Sequence, residues 1–212
     1  MRPRTALGLA LGDLYRNSWR LVPVNVALGA VLVLSAYAAI AVHALLVLAV
    51  LAGPIAAALA HSSVTLVRTG NLRFADAWQG LRLHWRRGLA LGAAGVALVV
   101  LAGVAIRFYT RSSAGWPLAF LTLYLLVLFG IYATVLVTVA VADPNRSLRV
   151  VARDAAAVGA QRPGATLLLG LALLVVNLLG IAAAVMPFLT LTVAYSFLAV
   201  AHFVVPPEAR EA

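Results

Sequence analysis

Four long runs of the chain contain no charged residue. Every Asp, Glu and Arg lies in the segments before, between or after these runs. The runs cover residues 21–67, 88–106, 112–142 and 163–207. A helix that crosses a membrane needs about 20 apolar residues. The first and last runs are long enough for two such helices, and each middle run is long enough for one. The pattern therefore predicts six transmembrane helices.

Each of the two longest runs needs a turn. Pro187 predicts the turn in the last run, and we place the turn of the first run near His43. Gly53-Pro54 is a competing break, but it would leave two segments of very unequal length. We therefore expect Pro54 to kink the second span, because neighbouring groups can satisfy the carbonyl that proline frees. The expected spans are residues 21–42, 44–67, 88–106, 116–142, 164–186 and 188–206 of one membrane domain, 1–212.

The composition agrees with a membrane protein. Apolar residues make up 64% of the chain, charged residues 10%, and the mean hydropathy is +1.04. Soluble domains are about one quarter charged, and disordered chains are less apolar, so both classes are excluded. The chain has no cysteine, which excludes disulfides and thiolate metal sites.

The arginines predict the orientation. All 16 basic residues are arginine, and six spans with a cytoplasmic N-terminus leave only Arg107 and Arg111 outside. The remaining 14 then lie on the cytoplasmic side, as the positive-inside rule requires. We expect both termini to be cytoplasmic.

An amphipathic segment precedes each pair of spans, at about residues 6–20, 72–87 and 146–161. Helical spacing predicts that each is a helix lying at the inner membrane surface. Their expected apolar faces are Leu7, Leu11, Leu14 and Trp19; Phe74, Trp78, Leu81 and Trp85; and Leu148, Val151, Ala155 and Val158.

The three segments end at equivalent arginines, Arg20, Arg87 and Arg162. One explanation is three repeats of an interfacial amphipathic helix plus a transmembrane hairpin. The other is topology alone, because every cytoplasmic loop before a hairpin is expected to be basic. The sequence leaves both explanations open. The predicted fold class is an all-α integral membrane protein.

The second segment is the candidate surface for a partner or for lipid. Tryptophan and arginine anchor proteins among lipid headgroups, and they also dominate protein interfaces. The candidate residues are Phe74, Trp78, Arg82, Trp85, Arg86 and Arg87.

The sequence offers few groups for chemistry. The predicted spans contain no acid, which weighs against an ion-coupled carrier, and no nucleotide or zinc motif is present. We therefore expect no enzymatic activity, no cofactor, no metal and no nucleic-acid partner. His61, Ser62 and Asn177 are candidates for a polar cavity. The alternatives are an interfacial histidine for His61 and a hydrogen bond between helices for Asn177.

Residues 13–95 resemble the YesL-like family of small bacterial polytopic membrane proteins. The matching features are a juxtamembrane segment at 13–20, Gly53-Pro54, the Arg68-Thr69-Gly70 loop, Phe74-x-x-x-Trp78 and Arg86-Arg87. The resemblance implies the bacterial inner membrane, no assigned activity, and association with ABC-type sugar-uptake systems.

Two functions follow as expectations. One is an accessory or scaffold subunit of a membrane transport system, for which sugar uptake is the implied class. The other is an autonomous channel or carrier that moves a small solute or lipid through a cavity between the hairpins.

Overall fold

The computed structural model describes residues 2–41, 43–183 and 187–205, and this part of the chain consists of helices joined by short connections. The α-helices are α1 (Pro3–Ala41), α2 (Ala52–Thr69), α3 (Phe74–Tyr109), α4 (Trp116–Ala142), α5 (Leu148–Gln161), α6 (Pro163–Ala182) and α7 (Val193–Val204). A 3-10 helix at His43–Leu51 precedes α2, and a π-helix at Phe188–Thr192 precedes α7. The helical fold class is confirmed.

Among the described residues, five helical segments are long and apolar enough to cross a membrane. They are Pro3–Ile40, Val47–Thr69, Phe74–Tyr109, Ser113–Ala142 and Pro163–Ala182. A sixth apolar segment, Thr190–Val204, is shorter. These segments are those of a multi-pass membrane protein.

The core is built around α2 and α7. Residues 196–201 of α7 are all buried, so this helix is enclosed on every side. Helices α1, α2 and α4 pack against α7, while α3 packs against α2 and α4. Helix α5 covers part of α4, and α6 lies beside α5 and the π-helix. The outer helices therefore surround two central ones.

The first amphipathic segment is separated from the first span by a kink within α1, where Asn17 has a non-helical conformation (φ −118°, ψ 16°), close to the expected boundary. Leu14 of the expected apolar stripe is buried and Leu7 packs against the core, beside the buried Ala6 and Ala10. Leu11 and Trp19 of the same stripe are exposed, so the expected face is confirmed only in part. Small residues let helices approach closely, and in a membrane the large apolar side chains can face lipid.

The second amphipathic segment is not a separate surface helix, because α3 runs without a break from Phe74 to Tyr109. Gly80 lies against His61, and Gly88 lies against Pro54, so α3 runs antiparallel to α2. The expected boundary near residue 87 is absent because this packing continues through it. Gly70 ends α2 in the left-handed conformation, with φ 71°, and so allows the short turn between the helices.

The third segment is a separate helix, α5, and its expected apolar face turns inward. Val151 and Ala155 are buried, and Val158 packs against the core. The Tyr132 hydroxyl of α4 donates to the Ala152 carbonyl oxygen at 2.9 Å. The helix is interrupted at Arg162, because proline at the next position disfavours a helical conformation there. The three expected repeats therefore differ in their helix boundaries.

Arg146 holds the connection before α5 by ion pairs with Asp143 at 2.7 Å and Asp154 at 2.8 Å. The hydrogen bond that Arg146 donates to the Asp154 carboxylate, followed by the charge of Asp143, raises the pKa of Arg146 above its ordinary value. The connection is thus fixed by charge at the end of α4.

The expected turns fall close to helix ends. Helix α1 ends at Ala41 and the 3-10 helix begins at His43, while residue 42 lies outside the described residues. Pro54 is in the first turn of α2 and not in mid-helix, where its missing N–H would cost a bond. In the last run α6 ends at Ala182. The last two spans were predicted to end at residues 186 and 206, and both residues lie outside the described part of the chain.

Candidate functional site

An exposed patch of aromatic rings and guanidinium groups joins α1 to α3. We call it the aromatic–arginine patch, and it consists of Trp19, Arg20, Phe74, Trp78, Arg82 and Trp85. The Trp19 and Phe74 rings meet edge to face, with centroids 5.2 Å apart. The guanidinium carbon of Arg20 lies 4.5 Å from the Trp19 ring centre. That of Arg82 lies 4.9 Å from the Trp78 ring centre. These distances suit aromatic and cation–π contacts.

The patch combines residues that the sequence places 55 positions apart, from Trp19 to Phe74. Arg20 donates to the Asn71 side-chain oxygen at 3.1 Å and to the Leu72 carbonyl oxygen. These bonds fix the middle of α1 beside the loop that leads into α3. Trp19 and Trp78 remain 59% and 57% exposed. Sequence analysis found the α3 half of the patch and missed the α1 half, because no local spacing relates the two.

Arg87 has a different role from the other arginines of the expected surface. Its guanidinium donates to carbonyl oxygens at the end of α4, those of Ala140 at 3.1 Å, Asp143 at 3.4 Å and Arg146. Arg68 donates to the Ala142 carbonyl oxygen at 3.2 Å. The last carbonyls of a helix lack partners within it, and cations there oppose the helix dipole. Arg87 therefore caps α4, whereas Arg86 is exposed.

The interface between α2 and α3, which we call the α2–α3 seam, places two backbones in direct contact. A Cβ built at Gly88 would lie 2.5 Å from the Pro54 Cα, and one built at Gly53 would lie 2.1 Å from the Gly88 carbonyl oxygen. Further along the seam, the His61 and His84 ring centres are 5.4 Å apart. The seam leaves no room for side chains at its glycines.

His84 is the unusual residue of the α2–α3 seam. It is 1% exposed, and neither ring nitrogen has a hydrogen-bond partner in the part of the chain that the structure describes. Ser62 is also buried, and its hydroxyl donates to the Ala58 carbonyl oxygen of its own helix at 3.0 Å. The structure therefore places His61 in a tight interface, beside a second histidine that the sequence did not single out.

A cavity of about 370 Å³ lies between α4, α6 and α7. Its lining is mostly aliphatic, with polar groups from Thr134, Thr166, Asn177 and Ser196. The Asn177 amide donates to the Ser196 hydroxyl at 2.7 Å, and its carbonyl oxygen accepts from Thr192 at 3.1 Å. Asn177 thus lines the cavity and also hydrogen-bonds the neighbouring helical segments.

The three expected cavity residues do not come together. Asn177 lines this cavity, whereas His61 and Ser62 are absent from its lining. Sequence analysis missed Thr166, although Thr166, Gly170, Leu173 and Asn177 follow the spacing of one helix face. That spacing was the available signal for the cavity.

Comparison with known proteins gives no relative. No protein-family model matches the chain, and neither the search of curated proteins nor that of solved structures finds a similar protein.

Proposed function

We propose that this chain is a six-span protein of the bacterial inner membrane that serves as a non-enzymatic accessory or scaffold subunit of a transport system. Both termini lie in the cytoplasm. Sugar uptake is the transport class implied by the resemblance to the YesL-like family, and this resemblance stays a prediction. The observation that carries the proposal is the aromatic–arginine patch.

The patch has the composition and the rigidity of a protein-binding surface. Tryptophan and arginine supply most binding energy at interfaces. The rings of Trp19 and Phe74 support each other, and each of two guanidinium groups lies over a ring. Side chains held in place before binding lose less entropy when a partner binds. The patch is thus suited to docking.

Charge indicates what kind of partner would fit. The chain has a formal net charge of +10, and the patch presents Arg82 beside exposed rings. Surfaces of opposite sign attract one another and select against wrong partners. We propose that the partner is a transport protein whose cytoplasmic face presents carboxylates next to apolar side chains.

The positions of the arginines support the proposed orientation. Arg20 binds the loop between α2 and α3, and Arg68 and Arg87 bind the end of α4. These segments therefore meet at one end of the molecule. Under the positive-inside rule that end faces the cytoplasm.

Cross-linking from position 85 in cells tests the docking. A photoreactive residue there should give one discrete adduct with a transport component, identified by mass spectrometry. The double variant Trp78→Ala/Arg82→Gln should remove this adduct. A matched control is Trp116→Ala/Phe120→Ala, because these exposed rings pair with centres 5.9 Å apart on α4, outside the patch. Adducts with lipid alone, or with the chain's own helices alone, would contradict the docking.

Reporter fusions test the proposed topology. A fusion after Arg111 should report the outside, whereas fusions at Gly80, Arg153 and Ala212 should report the cytoplasm. An outside signal at Arg153 would contradict six spans.

An autonomous carrier is the second candidate, and the cavity between α4, α6 and α7 favours it. Transport by the purified protein in liposomes would support the carrier. A scaffold would show no transport by itself and would be purified together with its partner.

A further inference from the structure

We propose that the cavity between α4, α6 and α7 is a binding site for one acyl chain of a membrane phospholipid, whose ester carbonyl accepts a hydrogen bond from Thr166. This inference rests on the membrane setting of the proposed function. It is independent of the aromatic–arginine patch.

The cavity has the shape of a long slot. Thr166, Gly170, Leu173 and Asn177 line it from one face of α6, over about 16 Å at the helical rise per residue. Residues 126–135 of α4 and 196–203 of α7 form its other walls. A volume of about 370 Å³ is within the range of ligand pockets. An extended hydrocarbon chain matches this shape and the aliphatic lining.

The outer surfaces beside the slot indicate where such a ligand would come from. Leu167, Leu168 and Leu171 of α6 are exposed, as are Leu123 and Leu125 of α4. In a multi-pass membrane protein these apolar side chains face lipid. The slot is therefore bounded by lipid-facing helices, so the acyl chains of the surrounding lipid are the ligands nearest to it.

One polar group in the slot lacks a partner. The Thr166 hydroxyl oxygen is buried and has no hydrogen-bond partner among the residues that the structure describes. The other polar groups are satisfied: Thr134 donates to the Gly130 carbonyl oxygen at 3.0 Å, and Ser196 donates to that of Thr192 at 2.8 Å. A buried hydroxyl without a partner is unfavourable, so a ligand acceptor at this point is favoured.

The surroundings of Thr166 match the order of groups in a phospholipid. Thr166 also lines a second cavity of about 170 Å³, which lies between α4, α5 and α6. Arg162, one turn before Thr166, is exposed at the start of α6. A chain in the slot, an ester at Thr166 and a phosphate near Arg162 follow one another as in an anionic glycerophospholipid. Arginine is well suited to bind phosphate.

The first test uses phosphatidylglycerol that carries a diazirine in one acyl chain, added to the purified full-length protein. Illumination should label peptides of α4 and α6 that line the slot. Gly130→Leu should remove most of this label, because a Cβ at Gly130 meets nothing within 4 Å and its side chain can occupy the slot. Gly103→Leu is the matched control, since that α3 glycine also faces open space away from the slot.

The second test isolates the hydrogen bond. Thr166→Val keeps the side-chain shape and removes the hydroxyl, so retention of the ester lipid should fall about two- to tenfold. Retention of the matching ether lipid, which has no ester carbonyl, should not change. If Gly130→Leu does not fold, as judged by gel filtration, the inference is tested by the effect of Thr166→Val on the ester lipid compared with its effect on the ether lipid.

Three results would overturn the inference. They are label spread evenly over all exposed helices, label unaffected by Gly130→Leu in a folded protein, and equal effects of Thr166→Val on both lipids. None of them would change the cross-linking from position 85, so the proposed docking would stand or fall separately.

Discussion

Glycines face a neighbouring helix in both the α2–α3 seam and the α4–α6–α7 cavity, with opposite results. In the seam a Cβ at Gly92 would lie 2.5 Å from the Val50 carbonyl oxygen, so the glycine meets backbone. In the cavity the nearest atoms to a Cβ at Gly170 would be those of the Ile131 side chain, 2.5 Å and 2.6 Å away, and a Cβ at Gly130 would meet nothing within 4 Å. The same residue type closes one interface and leaves the other open.

The difference depends on what stands opposite. Gly53 and Pro54 present a flat backbone surface to Gly88, and the two helices can touch along several turns. Across the cavity, Ile131 meets α6 at Gly170 and holds the helices apart on either side of this contact. Small residues permit close packing in both places, and the seam differs because Gly53, Pro54 and Gly88 bring backbone directly against backbone.

The largest predicted effect breaks the seam. Gly88→Leu places a side chain against the Pro54 backbone, which cannot move without displacing α2. Overpacking costs about 1–3 kcal/mol and occasionally more, and we expect the upper end here because the new side chain meets backbone. We expect loss of the folded protein, or a large fall in its thermal unfolding temperature in detergent.

Gly95→Leu is the matched control for Gly88→Leu, because a Cβ at Gly95 meets nothing within 4 Å on the same helix. Its unfolding temperature should stay near that of the parent. Equal losses in both variants would show that the seam is not the source of the effect.

The next effect is expected where the α2–α3 seam meets α4. Arg87→Gln removes the charge that binds three carbonyl oxygens, and hydrogen bonds to charged groups contribute about 1.5–3 kcal/mol. The partial exposure of Arg87 places the expected loss near the lower end. Thermal unfolding should show it clearly, whereas Arg86→Gln should change stability by less than about 0.5 kcal/mol. A similar loss in both would contradict the capping role.

The seam also contains a buried polar side chain, that of His84, and replacing it by an apolar one should stabilise the protein. His84→Leu replaces two buried ring nitrogens, which have no hydrogen-bond partner within the described ranges, by apolar atoms of similar bulk. An unsatisfied buried polar group costs about 1–3 kcal/mol, so a gain of about 1 kcal/mol is expected in thermal unfolding. A loss of stability would mean that the ring binds a water molecule or an ion in the folded protein.

Much of the fold follows from the sequence because charge determines where apolar runs end. Helix α4 covers residues 116–142, the bounds expected for the fourth span, since the charge of Asp143 ends the uncharged run at that point. The continuity of α3 through residue 87 was not predictable in this way. It depends on packing against α2, which no local spacing encodes.

The candidate sites show the same difference between features set by local spacing and features set by the tertiary fold. The exposed α3 rings were found because they share one helix face, whereas the contact between Trp19 and Phe74 needs the tertiary fold. The pairing of His61 with His84 was missed for the same reason. Nothing in the sequence distinguishes Arg87 from Arg86. The position of α4 shows that Arg87 caps that helix, whereas Arg86 is exposed.

The smallest predicted effect lies at the cavity. Asn177→Leu removes two hydrogen bonds between helical segments, those with Ser196 and Thr192. Such bonds within membrane proteins contribute about 0.6 kcal/mol each on average. The leucine can extend into the open cavity, so overpacking should not add to the loss. We expect a loss of about 1 kcal/mol in thermal unfolding, well below that of Gly88→Leu.

Thr122→Val is the matched control for Asn177→Leu, because the Thr122 hydroxyl donates only to the Leu118 carbonyl oxygen of its own helix. Its stability should change by less than about 0.5 kcal/mol. If Asn177→Leu had no larger effect than Thr122→Val, the bonds of Asn177 would not hold α6 against α7. The open cavity would then depend on the Gly170 and Ile131 contact alone, and the contrast with the α2–α3 seam would be sharper still.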